Sequence, residues 1–471
     1  MNYAAPRPTP AWLASAVAWL TPRRLRAQGI VLAVCLWGVC AVDFATPGFS
    51  DRAGNIKFQD FLPFYVSAWL VVEDRAGALY NQQVTKDEFD AILHRSLDHR
   101  SIGQPADGRQ PTGFPAVNPS ASPSANPPAN PPDNVRLPIL YGPQVGFFFL
   151  PFSRLSFPAA ARIWASLSLA FFFACIYFVG RICPALGPHW KIVVIAAVAF
   201  PPLFHLFVRG QISVLVLGCF TAALLAFRAD RGWLAGIALG LLAFKPQFLV
   251  AIPLVLLLAR AWKALAGLCA SAAVQVVLTW LYFGSAVMRA YFETLWHVSR
   301  WIGAAEPGLA AIQMHSLRSF WALLIPWPDV GLALYILSSV VIIAMAAVIW
   351  KSGSPLTLRF SALILAAILV DPHLFVYDLL VLAPALLLLV DWTLTETKNK
   401  TKPQHHDSAA LQLLSYLTYI LPLFGPLSRW THLQLSVPAF VVLLWTLWRH
   451  SIDLASPAAD AKLASPEARV V

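Results

Sequence analysis

Apolar runs near twenty residues recur along this chain, and they constrain its fold more than any other feature. The hydrocarbon core of a bilayer is about 30 Å thick, which about 20 residues of helix cross. Charged residues make up only 12% of the 471 and hydrophobic ones 58%, whereas a soluble domain carries about 25% charged residues. The chain therefore reads as an all-α polytopic membrane protein with roughly 10 to 12 transmembrane helices, not as two or three soluble domains. The candidate spans are 28–47, 158–180, 190–207, 211–228, 232–244, 246–260, 263–284, 329–350, 356–371, 372–391, 409–424 and 432–449. The fifth and sixth are short for a bilayer and flank "FKPQF", which predicts tilted or partly inserted helices there.

The net charge of +11 is carried mostly by short loops between spans. "RRLR" at 23–26 precedes the first span, and every second connection after it is basic, as the positive-inside rule expects. This puts the N-terminus in the cytoplasm, and it removes the need for nucleic acid as the partner of the positive charge. The N-terminal "WLASAVAWL" is short and is followed by "TPRRLRAQ", so the first long span is expected to stay as an anchor. Residues 1–27 then form a cytoplasmic segment, 28–392 the main transmembrane domain, 393–408 a cytoplasmic linker, 409–450 a terminal hairpin and 451–471 a cytoplasmic tail. A Pro-, Asn- and Ser-rich stretch, 103–135, reads as a disordered insertion in the first outer loop. Around it, 60–72 and 139–157 read as outer-face juxtamembrane segments. Cys35, Cys40, Cys175, Cys183, Cys219 and Cys269 form no CxxC pair and read as packing residues.

With this topology the isolated polar residues collect on the outer side: Asp60, Tyr141, Arg209, Gln211, Lys245, His315, Asp371, His373 and Asp378. Ionisable groups at membrane depth are costly and raise a functional hypothesis by default. Three of them stand at expected helix starts. "VRGQIS" opens one span, "FKPQF" sets Lys245 ahead of Pro246, and "VDPHLFVYDLL" offers Asp371 as N-cap with Pro372 at the first position. Helix N-termini with adjacent Arg209 and Lys245 would receive a phosphate on a lipid. Each residue also has a plainer reading. Arg209 and Lys245 would snorkel to headgroups without any ligand, His373 and His315 would be satisfied interfacial histidines, and Asp371 a cap. Asp378 lies seven residues after Asp371, on the same helical face. Asp60 is either an N-cap acid with Pro63 in the first turn or a general base facing an acceptor hydroxyl.

Three stretches carry a resemblance: "QDFLPFYVSAWLVVEDRAGALYN", "YGPQVGFFFLPFSRLSFPAAARIWASLSLA" and "GQISVLVLGCFTAALLAFRADRGWLAGIALGLLAFKPQFLVAIPLVLLLARAWKAL". Together they resemble glycosyltransferase family 87, a GT-C-type family that includes a polyprenol-phosphate-mannose-dependent mannosyltransferase. The resemblance covers most of 28–392. It implies a GT-C-type fold, an active site on the periplasmic side of a bacterial cytoplasmic membrane, and inverting transfer of a mannose-like hexose from a polyprenyl-phosphate donor to a lipid or glycan acceptor. An acid of the first outer loop is the base in such enzymes, and Asp60 matches that position. Arg209, Gln211, Lys245 and His373 are then expected at the donor phosphate, with Tyr141, His315, Asp371 and Asp378 in supporting or acceptor-side roles. The chain differs from the family pattern in reading Tyr141-Gly142-Pro143 for Tyr-Pro-Pro, and Asp371-Pro372 where the mannosyltransferases carry Ser-Pro. No cofactor is expected, because the lipid-linked sugar is a substrate. No metal is expected either, because no spacing resembles a dedicated site. Two rival readings remain at the level of sequence: a transporter or flippase without chemistry, and an inactive scaffold.

Overall fold

The computed structural model describes residues 10–98, 139–301, 313–398 and 406–455. The insertion expected at 103–135 and most of the 451–471 tail lie outside them. Helix dominates: among the described residues no strand forms, and only two isolated bridges occur, Ser50 with Ile56 and Met314 with Phe375. Six helices are long and apolar enough to cross a membrane, and a bent pair, Pro184–Val198 with Pro201–Arg209, makes a seventh span. Four shorter apolar helices, Ser213–Arg228, Gly232–Phe244, Pro246–Leu258 and Leu356–Val370, supply the rest. The chain is thus a multi-pass all-α membrane protein in which several expected spans are short or broken.

The breaks follow from local chemistry. Pro201 and Pro202 have no N–H to offer the preceding turn, so the helix bends by 44° there. Carbonyls near this break would be orphaned in an apolar interior. Trp37 Nε1 donates to the Val198 carbonyl at 2.9 Å and the Tyr419 hydroxyl to that of Ala196 at 2.9 Å. Those two bonds also fasten the first long helix, Pro22–Ala45, and the penultimate one, His406–Ile420, to the broken span. Gly284 makes a second break: at φ 77°, ψ 171° it interrupts the Trp262–Trp301 helix where the apolar run ends.

Packing is tightest between Gly232–Gly240 and the start of Trp262–Trp301. A Cβ on Gly236 would stand 2.0 Å from the Ala264 carbonyl oxygen, and one on Gly267 would stand 2.3 Å from that of Trp233. Gly236, Gly240 and Gly267 therefore let two backbones meet, as small residues do in membranes. The Leu356–Val370 helix lies at the centre, buried at every position from Phe360 to Val370, which is what a helix apolar all round requires. Its C-terminal end delivers Asp371 to the polar cluster.

Two expected elements bear on the site. The segment expected at 60–72 forms the Leu62–Val72 helix, and it packs into the interior, with Leu62, Phe64, Tyr65, Val66, Ser67, Ala68 and Leu70 all buried. The span expected to begin at 372 does not. Residues 372–375 form a turn, and the next helix opens as a 3-10 segment at Val376–Val381.

Candidate active site

Asp60 reaches the interior on a short 3-10 turn, Gln59–Phe61. The turn is held from both sides. Lys57 Nζ donates to the carbonyls of Thr46 at 2.6 Å and Gly48 at 3.2 Å, closing the loop against the end of Pro22–Ala45. Phe58, left-handed at φ 56°, donates its N–H to the Val208 carbonyl at 3.3 Å. The opposing surface is Gly210, itself left-handed at φ 72°, where a Cβ would fall 2.8 Å from Phe61 Cβ. Only glycine meets both conditions there.

Asp60 does not act as a helix cap. Its Oδ2 accepts a hydrogen bond from Gln211 Nε2 at 2.9 Å. Its Oδ1 is buried without a hydrogen bond, and Arg209 Nη1 is 3.7 Å away. Burial raises the Asp60 carboxyl above the usual carboxylate range, against the pull of Arg209 and the Gln211 bond. Gln211 Oε1 in turn accepts from the Tyr141 hydroxyl at 3.0 Å and from the Ile212 N–H at 3.3 Å. Arg209 keeps 25% of its side chain exposed and donates to Gln313 Oε1 at 2.8 Å.

A second charged pair lies beside this one. The Lys245 ammonium contacts Asp378 Oδ1 directly, and both side chains are 1% exposed. The Ser213 hydroxyl donates to the same Asp378 oxygen at 2.5 Å and accepts from Lys245 at 3.1 Å. Asp378 Oδ2 accepts from the Phe375 N–H at 3.3 Å, closing the first turn of its segment. The rings of Tyr377, Tyr141 and Phe248 lie 5.5, 5.7 and 5.9 Å from Lys245 Nζ, adding cation–π contact to a pair already desolvated.

Of the three expected helix starts, the structure keeps two in altered form, a helix opening at Ser213 and a 3-10 turn opening at Pro246 with Lys245 as its N-cap, while Asp371 starts none. Arg209 ends the Pro201–Arg209 helix with Gly210 as its left-handed cap. Lys245 sits between two four-residue 3-10 turns. Asp371 caps the C-terminus of Leu356–Val370. Its Oδ1 accepts from the His373 N–H at 2.7 Å, while its Oδ2 is buried and unpartnered. Burial drives Asp371 well above the carboxylate range, and the nearby Asp378 adds to this. His373 Nδ1 also lacks a partner; its ring abuts Phe375, 4.8 Å between centroids, and burial lowers its pKa to about 4. His315 belongs elsewhere. Its Nδ1 meets Ser436 Oγ at 2.7 Å and its N–H donates to the Leu374 carbonyl at 3.0 Å, so it ties the 313–316 strap to the last helix. Sequence reasoning missed Ser213 and Gln313. Ser213 stands two residues after Gln211 at the mouth of the same helix, which was the available signal; Gln313 had none.

Among the described residues no group of three or more His, Cys, Asp or Glu side chains is placed to hold a metal ion, and all six cysteines are free.

Residues 140–377 match the sequence profile of glycosyltransferase family 87. The chain belongs to that family. Comparison with curated proteins found no match, and comparison with solved structures found none either. The family 87 match contains Tyr141, Arg209, Gln211, Ser213, Lys245, Gln313, Asp371 and His373; Asp378 stands one residue past its end, and Asp60 packs onto it from outside through Gly210 and Gln211. As a glycosyltransferase the chain takes a sugar donor and an acceptor, and it does so from within a membrane.

Proposed function

We propose that this family 87 protein is an inverting glycosyltransferase that moves a mannose-like hexose from a polyprenyl-phosphate donor to a lipid or glycan hydroxyl at the outer face of a bacterial cytoplasmic membrane, with Asp60 as general base. One observation carries the reading: Asp60 is a buried carboxylate with one oxygen held by Gln211 and the other left without a hydrogen bond beside a partly exposed arginine. A carboxylate in that state lacks one proton donor, and an acceptor hydroxyl would supply it.

The chemistry follows in one displacement. The acceptor hydroxyl donates to Asp60 Oδ1 and transfers its proton there as its oxygen attacks the anomeric carbon. The bond from that carbon to the phosphate oxygen breaks on the opposite face, the phosphate leaves with the electron pair, and the configuration inverts. Arg209, the more exposed of the two cations, is the residue for the charge that develops on the leaving phosphate. Lys245 is enclosed by Asp378, Ser213 and three rings, so its part is to hold the site's shape and field, not to grip the donor. His373 and Asp371, with unpartnered atoms, remain for sugar hydroxyls.

The test is transfer of label by the purified protein from a radiolabelled polyprenyl-phosphate hexose to a lipid extract of its host. Wild type should transfer and Asp60→Asn should not, while still binding donor. Full activity in Asp60→Asn would remove the base assignment, and no transfer by wild type from any polyprenyl-phosphate sugar would remove the donor class.

A further inference from the structure

Gln211 was expected beside the donor phosphate. Its side chain is instead consumed by protein groups. The Ile212 N–H can only donate, so the amide oxygen must face it; that oxygen also takes the Tyr141 hydroxyl. The amide nitrogen is thereby turned toward Asp60 Oδ2, a carboxylate oxygen that accepts when ionised. Gln211 is 4% exposed and Asp60 5%, so water is a poor substitute for either bond. The chain Tyr141, Gln211, Asp60 joins three segments that are far apart in sequence, and its end point donates to Asp60 Oδ2 at 2.9 Å, with Gln59 as the other side-chain amide acting on that carboxyl.

We infer that Tyr141 and Gln211 form a positioning relay that holds the Asp60 carboxylate by one oxygen and leaves the other open to the acceptor hydroxyl. The inference rests on the reading of Asp60 as base. The relay fixes which oxygen reacts: Oδ2 is occupied, and Oδ1 faces the space beside Arg209. It also keeps the carboxylate plane from rotating, and it supports the charged form of a group that burial opposes. Other groups facing Asp60 are Arg209, Lys245, Tyr141 and Tyr377; none of them is acidic at neutral pH, so the wild-type relay adds no second acid to the base.

The decisive variant is Gln211→Glu. A neutral glutamic acid has an amide's pattern, one acceptor for Tyr141 and one donor for Asp60, so the relay survives while the two carboxyls share a proton. When that proton leaves, two buried carboxylates face each other and the donor is gone. Kinetics over about pH 5 to 9 with polyprenyl-phosphate mannose as donor and host lipid extract as acceptor, on the full-length protein, should therefore show a new alkaline limb in Gln211→Glu that wild type lacks. Gln211→Met should lower kcat by about tenfold or more, the size of a hydrogen bond to a charged group, at unchanged donor KM. Tyr141→Phe should lower kcat less, since Ile212 still holds the amide. Thermal unfolding of each variant separates misfolding from lost positioning. If Gln211→Glu does not fold, the kcat-against-KM split in Gln211→Met decides alone. A loss by the same factor at every pH, or a raised donor KM with kcat intact, overturns the relay. An active Asp60→Asn overturns the base reading and the relay with it, whereas an inactive Asp60→Asn with a flat Gln211→Glu profile overturns the relay alone.

Discussion

Asp60 and Asp378 are both buried acids that face a cation, and the cluster treats them differently. Asp378 is saturated: Lys245 and Ser213 share one oxygen, a backbone N–H takes the other, and aromatic rings surround the cation. Asp60 is half satisfied, with its arginine 3.7 Å away and a quarter exposed. A closed buried pair is costly to open and has little left to offer a substrate. An acid with one unfilled oxygen is unstable by design of its surroundings and gains when a hydroxyl arrives. The two halves touch through Tyr141, whose ring lies over Lys245 and whose hydroxyl serves Gln211. The lesson is that charge alone did not mark the reactive group; incomplete satisfaction did.

Breaking the open half should give the largest effect on rate and almost none on stability. Asp60→Asn is expected to lose about 10²- to 10⁴-fold in turnover with an unfolding midpoint at or above wild type, since a buried charge is removed; label transfer and thermal unfolding in detergent measure both. Breaking the closed half should do the reverse. Lys245→Met alone leaves Asp378 buried and unpaired, at a cost of about 3–5 kcal/mol of stability, and the double variant Lys245→Met, Asp378→Leu should recover much of it. A stable Lys245→Met with only a raised donor KM would erase the contrast and return Lys245 to the phosphate.

Gly210→Ala tests the seam that brings Asp60 to its partners. A left-handed alanine costs about 1–2 kcal/mol before the close approach to Phe61 is counted, and the variant should lose kcat along with stability. Arg209→Gln sharpens the comparison from the cation's side. It should raise donor KM by about tenfold, the worth of about 1.4 kcal/mol. It should also move the acid limb of kcat/KM upward. Burial already lifts the Asp60 pKa and Arg209 opposes that lift, so the base is protonated, and activity lost, as pH falls through a value above the ordinary carboxylate range; without Arg209 that value rises further. Ser436→Ala, away from both halves, should cost about 1 kcal/mol of stability with transfer unchanged. A large loss of transfer there would draw His315 into the site.

The sequence was informative where the physics is local. Apolar run length predicted the class and most of the span positions, and "FKPQF" predicted the interrupted short helices that the structure contains; the bend at Pro201 falls inside the span expected at 190–207. Of the nine polar residues singled out as site candidates, eight converge and His315 faces Ser436 instead. One helix start was misread, Asp371, and one stop was missed, because the same short motif serves either terminus. "VRGQIS" leads into the helix that opens at Ser213, and Gly210 in the left-handed region is also the stop of the preceding helix. The four-residue spacing of Gly236 and Gly240 was there to be read as a packing seam.

What the sequence by itself determined is an all-helical membrane chain with a fixed set of polar groups kept out of its apolar spans, because hydrophobicity and backbone breaks act over a few residues. Only the tertiary structure decided the pairings. Lys245 and Asp378 stand 133 residues apart, Gln211 and Asp60 151, and His315 and Ser436 121. Which donor meets which acceptor depends on how whole helices pack, and at these separations no periodicity in the chain encodes it. The roles of the charges follow from those pairings: one cation is spent on an internal carboxylate, and the other remains partly open to a ligand.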